Sequence, residues 1–154
     1  MKKINIKHLV ISIIISLFTG IFSTIITGNG MTEYKDMYKP FLSPPAIIFP
    51  IVWTILYILM GISSYLIYES DSMEIQKALL IYAVSLILNA LWPVWFFNLK
   101  AYTFAFIWLV VLWMVIIVMV NEFGKINRRA GILLLPYFFW VSFAGYLNLC
   151  IALN

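Results

Sequence analysis

The sequence predicts an all-α integral membrane protein, a bundle of five transmembrane helices, and three observations carry that prediction. The composition is 64% hydrophobic and 10% charged, with a mean hydropathy of +1.03, where soluble domains hold about 45–50% apolar and about 25% charged residues. No Asp, Glu, Lys or Arg occurs in 8–32, 40–68, 78–99, 101–121 or 130–154. Each window exceeds the ~20 residues a helix needs to cross ~30 Å of hydrocarbon. Neither the length nor the pattern suits strands, since buried strands stop at roughly 4–8 residues and membrane strands alternate polar with apolar. Lipid offers the backbone no hydrogen-bond partners, which leaves helices as the spanning element. A soluble enzyme, a nucleic-acid binder and a disordered linker are excluded together, because ten basic and six acidic side chains cannot cover a water-facing surface of this size.

The elements follow in order. Met1-Lys2-Lys3 before an apolar stretch resembles a secretory signal. The apolar run from Leu9 to Thr27 is long enough to span, however, and no convincing small-x-small site follows it. It reads as a first, retained span at about 9–27. Residues 28–45 form the one long connection and carry Gly28, Gly30, Pro40, Pro44 and Pro45. Long ordered loops in compact domains are usually functional, and this one is expected to lie over the bundle end as a lid. Pro44 and Pro45 suit the first turn of the second span, about 46–68. The remaining spans fall at about 78–98, 102–122 and 130–152. Their short connections, 69–77, 99–101 and 123–129, make neighbours antiparallel, so residues 1–154 form a single domain.

Five spans place the N-terminus and the second and fourth connections on one side. That side holds Lys2, Lys3, Lys7, Lys77, Lys125, Arg128 and Arg129; the other holds Lys35, Lys39 and Lys100. Basic residues concentrate on the cytoplasmic face, so the expectation is a cytoplasmic N-terminus and an outer C-terminus in a bacterial cell membrane.

Polar chemistry is sparse. The single histidine, His8, stands at the mouth of the first span and reads as interfacial. Cys150 has no partner for an internal disulfide and nothing nearby to lower its pKa. No phosphate-binding glycine loop, metal-ligand cluster or intramembrane carboxylate is present, so no metal or cofactor is expected and ion-coupled transport lacks its usual group. Aromatic residues are abundant instead, with 6 Trp, 9 Tyr and 12 Phe. Tyr68, Tyr82, Tyr102 and Trp108 read as an interfacial belt or lipid-facing set. Other aromatics share helix faces with polar groups: Phe49, Trp53 and Tyr57; Asn89, Trp92 and Phe96, with Pro93 interrupting the ladder; and Trp140, Phe143, Ala144, Leu147 and Asn148. Asparagine is costly toward lipid, so these faces point inward. Two readings stand: a packed core bonded across helices, or a ligand cavity with aromatic walls and a lid.

Three stretches resemble one family. Tyr34-Lys35-Asp36-Met37-Tyr38-Lys39-Pro40-Phe41-Leu42-Ser43-Pro44-Pro45, followed by Phe49, Trp53 and Tyr57, resembles the loop and second span of the TspO/MBR family, the tryptophan-rich sensory proteins and mitochondrial translocator proteins. Residues 88–97, LNALWPVWFF, are similar to its third-span motif, and 135–148, LPYFFWVSFAGYLN, to its fifth-span signature. The resemblance implies a five-helix bundle, a homodimer, and a pocket beneath the first loop that takes porphyrins, haem-like tetrapyrroles or other hydrophobic small molecules. By position, the implied lining is Tyr34, Pro44, Pro45, Phe49, Trp53, Asn89, Trp92, Phe96, Trp140, Ala144 and Asn148. Lys39 is the motif-matched cation near the mouth, placed either to meet a porphyrin propionate or to cap a helix end.

The resemblance implies a receptor or sensor, with two alternatives. One is a slow enzyme for light-dependent oxidative degradation of protoporphyrin IX, in which Trp53 and Trp140 are the implicated residues; the other is a small-molecule transporter. With no acid, base or nucleophile in the spans, binding is the stronger expectation. The chain departs from the family at Glu33 and Leu42, where tryptophans are usual. No basic residue follows Tyr146, so specific cholesterol recognition is not expected.

Overall fold

The computed structural model describes residues 4–154; Lys2 and Lys3 of the basic N-terminal set lie outside the described residues. The chain runs α1 Ile6–Thr27, α2 Gly30–Asp36, α3 Ile48–Tyr68, α4 Ile75–Pro93 continuing into a π-helical turn Val94–Asn98, α5 Tyr102–Ile126, α6 Arg128–Leu133 and α7 Leu135–Ala152. Among the described residues, five stretches are long and apolar enough to cross a membrane: α1, α3, α4 with its π turn, α5, and α6 with α7. The protein is an integral membrane bundle, and no strand occurs among the described residues.

Local chemistry sets the ends and breaks. The Asn5 side chain accepts from the His8 N–H and starts α1. That is three residues before the expected boundary, because capping, and not hydropathy alone, places a helix start. Gly28, at φ +63°, closes α1 with its N–H on the Thr24 carbonyl. Asn127 is extended, and its side chain accepts from the Arg129 and Ala130 N–H groups, so it ends α5 and caps α6. Two prolines interrupt the ladder, since proline brings no N–H. Pro136 separates α6 from α7 at Leu134. Pro93 precedes the π turn, in which the Leu99 N–H reaches back to the Val94 carbonyl at 3.0 Å.

Polar side chains and one glycine bring the helices together. Ser16 Oγ donates to the Tyr57 carbonyl at 2.7 Å, and Ser63 Oγ to the Ala130 carbonyl at 2.8 Å. At Gly61 a Cβ would stand 2.6 Å from Ile13 Cα, so only glycine allows α1 and α3 to approach this closely. At the end of the bundle away from the lid, Glu122 pairs with both Lys77 and Lys125, tying α4 to α5.

The aromatic belt needs correction at Tyr82. Tyr68 is 52% exposed, as a belt residue should be, but Tyr82 is 5% exposed and sits in the main core. It lies one heptad before Asn89, on the face that Asn89 turns inward. Trp108 is half-buried, packs against Trp95 and Phe104, and donates Nε1–H to the Leu88 carbonyl at 2.8 Å. Tyr102 is half-buried against Phe96.

Gly61→Ala is therefore expected to lower the thermal midpoint in detergent, by an overpacking cost of about 1–3 kcal/mol. Gly145→Ala, where a Cβ would meet Leu109 no closer than 3.6 Å, is expected to leave the midpoint unchanged or raise it. Circular dichroism melts of the two variants check this, and equal losses would remove the close-approach argument.

Candidate ligand-binding site

A cavity of about 510 Å³ lies in the lid half of the bundle, between α1, α3, the α4–π segment and α7. Small-molecule sites range over roughly 300–1,000 Å³. One face of α3 supplies Phe49, Trp53 and Tyr57, with Trp53 stacked on Tyr57 at 5.6 Å. The α4–π segment supplies Asn89, Trp92 and Phe96, with Trp92 stacked on Phe96 at 4.9 Å. The π turn redirects the chain beyond Pro93, which brings Phe97 into the wall beside Phe96. Ala144, Leu147 and Asn148 of α7 complete that side.

The polar groups of the wall are bonded among themselves. Trp92 Nε1–H donates to Asn148 Oδ1 at 3.1 Å, and Asn148 Nδ2 donates to the Tyr102 carbonyl at 2.8 Å. Asn89 Nδ2 donates to the Tyr57 hydroxyl at 3.2 Å. Among the described residues no charged side chain lines the cavity, and no group of His, Cys, Asp or Glu could hold a metal ion. The site offers flat aromatic surfaces, amide dipoles and a small residue, Ala144. It can orient and desolvate an apolar molecule.

The connection 28–45 is a lid with a helix of its own, α2. Tyr34 is buried, its ring edge-on to Phe49 at 4.8 Å and its hydroxyl donating to the Pro44 carbonyl at 3.0 Å. The Tyr146 hydroxyl holds the far part of the lid through the Phe41 carbonyl at 2.8 Å. Glu33 pairs with Lys100 at 3.1 Å, which ties α2 to the turn before α5 and raises the Lys100 pKa. Lys39 lies over the Tyr34 ring, 3.8 Å from its centroid, and donates to the Tyr34 carbonyl. Burial lowers its pKa, against the opposing charge of Asp36. Its contact with the Tyr34 carbonyl corresponds to the helix-capping one of its two expected roles.

Of the expected lining, Tyr34, Phe49, Trp53, Asn89, Trp92, Phe96, Ala144 and Asn148 line the cavity. Pro44, Pro45 and Trp140 do not. Helix α3 starts at Ile48, so the two prolines precede it; Pro45 accepts the Ile48 N–H in a turn, and Pro44 serves Tyr34. Trp140 packs edge-on against Phe49, with centroids 5.7 Å apart, and its Nε1 is buried without a hydrogen-bond partner. The sequence reading missed the α1 wall, Leu17, Gly20, Ile21, Ser23, Thr24 and Thr27. Its signal was present: Ser16, Gly20, Ser23, Thr24 and Thr27 form a small-residue face at helical spacing.

The sequence model of the TspO/MBR family matches residues 11–153. The tryptophan-rich protein TspO of Archaeoglobus fulgidus is 33% identical over 97% of each chain. The tryptophan-rich protein TspO of Chlorobaculum tepidum is 35% identical over 77% of this chain and 76% of its own. The sheep translocator protein is 34% identical over 80% of this chain and 75% of its own.

Asn148 joins α4, α5 and α7 through two bonds, whereas Asn89 makes one. Removing a partner from a buried donor costs about 1–3 kcal/mol. Asn148→Ala is expected to lower the detergent melting midpoint more than Asn89→Ala does, and the reverse order would place the structural tie elsewhere.

Proposed function

The chain belongs to the TspO/MBR family, and from that premise we propose that it is a membrane receptor of the sensory type, binding tetrapyrroles and similar flat hydrophobic molecules in the lidded cavity. The observation that carries this reading is the wall itself: Phe49, Trp53, Trp92 and Phe96 around a charge-free space of about 510 Å³. Each good stacked pair adds about 0.5–1.5 kcal/mol beyond area burial, and the buried amides of Asn89 and Asn148 are already satisfied. The names of the relatives, sensory protein and translocator protein, support a receptor role over catalysis. Homodimerisation is proposed with it on the family resemblance. The orientation proposed has the lid outside, supported by Lys7, Lys77, Lys125, Arg128 and Arg129 at the opposite end.

A second reading, light-dependent breakdown of protoporphyrin IX, is favoured by one observation. Trp53 lines the cavity and is stacked on Tyr57. Trp140, the other implicated tryptophan, packs against Phe49 and is not among the lining residues, so Trp53 is the residue on which this reading rests.

Titration of the purified protein with protoporphyrin IX, read as quenching of tryptophan fluorescence, tests the proposal. Trp53→Ala is expected to weaken binding about tenfold or more, which is ~1.4 kcal/mol. Trp113→Ala, whose indole bonds Ser142 away from the cavity, is expected to change affinity by less than about threefold on the same scale. Equal losses at the two sites would sink the cavity assignment. Illumination of the bound sample separates the second reading: receptor function alone predicts no porphyrin loss beyond that in protein-free micelles.

A further inference from the structure

The cavity is not equally closed on all sides. Its lining residues from α2, α4, the π turn and α7 are all buried or half-buried. Every exposed lining residue belongs to the lid ends of α1 and α3 or to Gly28 just beyond α1, and Ile25 is 74% exposed. The reason is the way the two helices cross. They are clamped deep in the bundle, where Gly61 meets Ile13 and where a Cβ on Gly20 would lie 2.5 Å from the Tyr57 ring. Beyond that clamp, toward the lid, side chains such as Thr24 and Thr54 face both the cavity and the outside.

This gap is built for lipid. The Thr24 hydroxyl donates to the Gly20 carbonyl at 2.9 Å and the Thr54 hydroxyl to the Pro50 carbonyl at 2.7 Å. Both hydroxyls are satisfied within their own helices, so neither needs a partner in the opening. Above the cavity, by contrast, the lid is held by the Tyr34, Tyr146 and Glu33 contacts already described. An aqueous route must break those contacts, whereas the side route breaks none.

We infer that the cavity is loaded sideways from the bilayer, through the gap between the lid ends of α1 and α3, by an uncharged flat molecule already dissolved in the membrane. This rests on the proposal that the cavity binds tetrapyrrole-like ligands, and it adds the route and the charge class. A carboxylate drawn through the gap would meet no cation in the cavity and would lose its hydration.

The protein is reconstituted in phosphatidylcholine vesicles and mixed with protoporphyrin IX dimethyl ester, an uncharged probe. Stopped-flow tryptophan quenching gives the rates. At fixed total probe, the association rate is expected to follow the mole fraction of probe in the membrane, falling about tenfold when lipid is raised tenfold. Thr24→Phe and Thr54→Phe, made separately so that one folding failure does not decide the result, are expected to slow association and dissociation together by fivefold or more. Loosening the lid with Glu33→Gln/Tyr146→Phe is expected to leave both rates within twofold. Rates that ignore lipid dilution and the phenylalanine variants but rise in the loosened lid would overturn the sideways route and leave the binding proposal standing. Protoporphyrin IX diacid binding tenfold tighter than the ester would overturn the charge class. No quenching by either probe would remove the binding proposal, and this inference with it.

Discussion

A polar side chain in the middle of a bilayer has only the protein to bond to, and the lid half of this bundle is organised around two asparagines under that constraint. Asn148 takes the Trp92 indole on one side and the Tyr102 carbonyl on the other, so α4, α5 and α7 meet at one residue. Asn89 takes the Tyr57 hydroxyl and sets α3 against α4. These bonds fix the Trp92 indole and the Tyr57 ring in the cavity wall. Water exposure would weaken each bond by competition, whereas the membrane removes that competitor. The cavity is thus kept open by the same polarity that would be costly if it faced lipid.

The prolines act on the same site from the backbone. Pro93 withholds an N–H one turn beyond Asn89, and the chain relaxes into a π turn, a feature often found at functional sites. That extra residue in the turn presents both Phe96 and Phe97 to the cavity. Pro136 breaks the fifth span below its aromatic face, so α6 follows α3 through the Ser63–Ala130 bond while α7 is free to face the cavity. The Pro136 break has support on both sides: Asn127 caps α6, and the Phe138 N–H closes onto the Leu134 carbonyl.

Much of this was legible in the sequence, and the failures share a cause. The five spans came from charge-free length, and the walls of α3 and α4 from aromatics at helical spacing with Asn89. Periodicity gives the direction in which a side chain leaves its helix, but not which neighbour stands in front of it. Trp140 shares a face with Ala144 and Asn148, yet its ring packs edge-on against Phe49 from α3 and does not line the cavity. Tyr82 was assigned by residue type, as a belt aromatic, although its heptad relation to Asn89 already turned it inward. The α1 wall was overlooked because Ile, Phe, Ser and Thr in a charge-free helix read as lipid-facing all round. The lid helix α2 was invisible as well: its seven residues, GMTEYKD, carry no apolar period, and contacts to Phe97, Lys100 and Pro44 order it only in the folded chain.

The lid departs from the family pattern at Glu33 and Leu42, and the structure shows what stands in for the usual tryptophans. Glu33 reaches Lys100 across the surface, but both groups are exposed, and salt screens such a pair. Leu42 is also exposed and closes a turn at φ +72°, a left-handed conformation that leucine adopts only under constraint from its surroundings. Neither replacement seals an apolar surface as an indole would. Closure falls instead to buried Tyr34, which is held from below by Phe49, from the side by Pro44 and from above by Lys39. A lid fastened at buried Tyr34 and by the Tyr146–Phe41 bond, with a weak ionic edge, covers the cavity without adding indole area there. The aromatic surface available to a ligand therefore lies in the walls, on helices whose own packing fixes it before any ligand arrives.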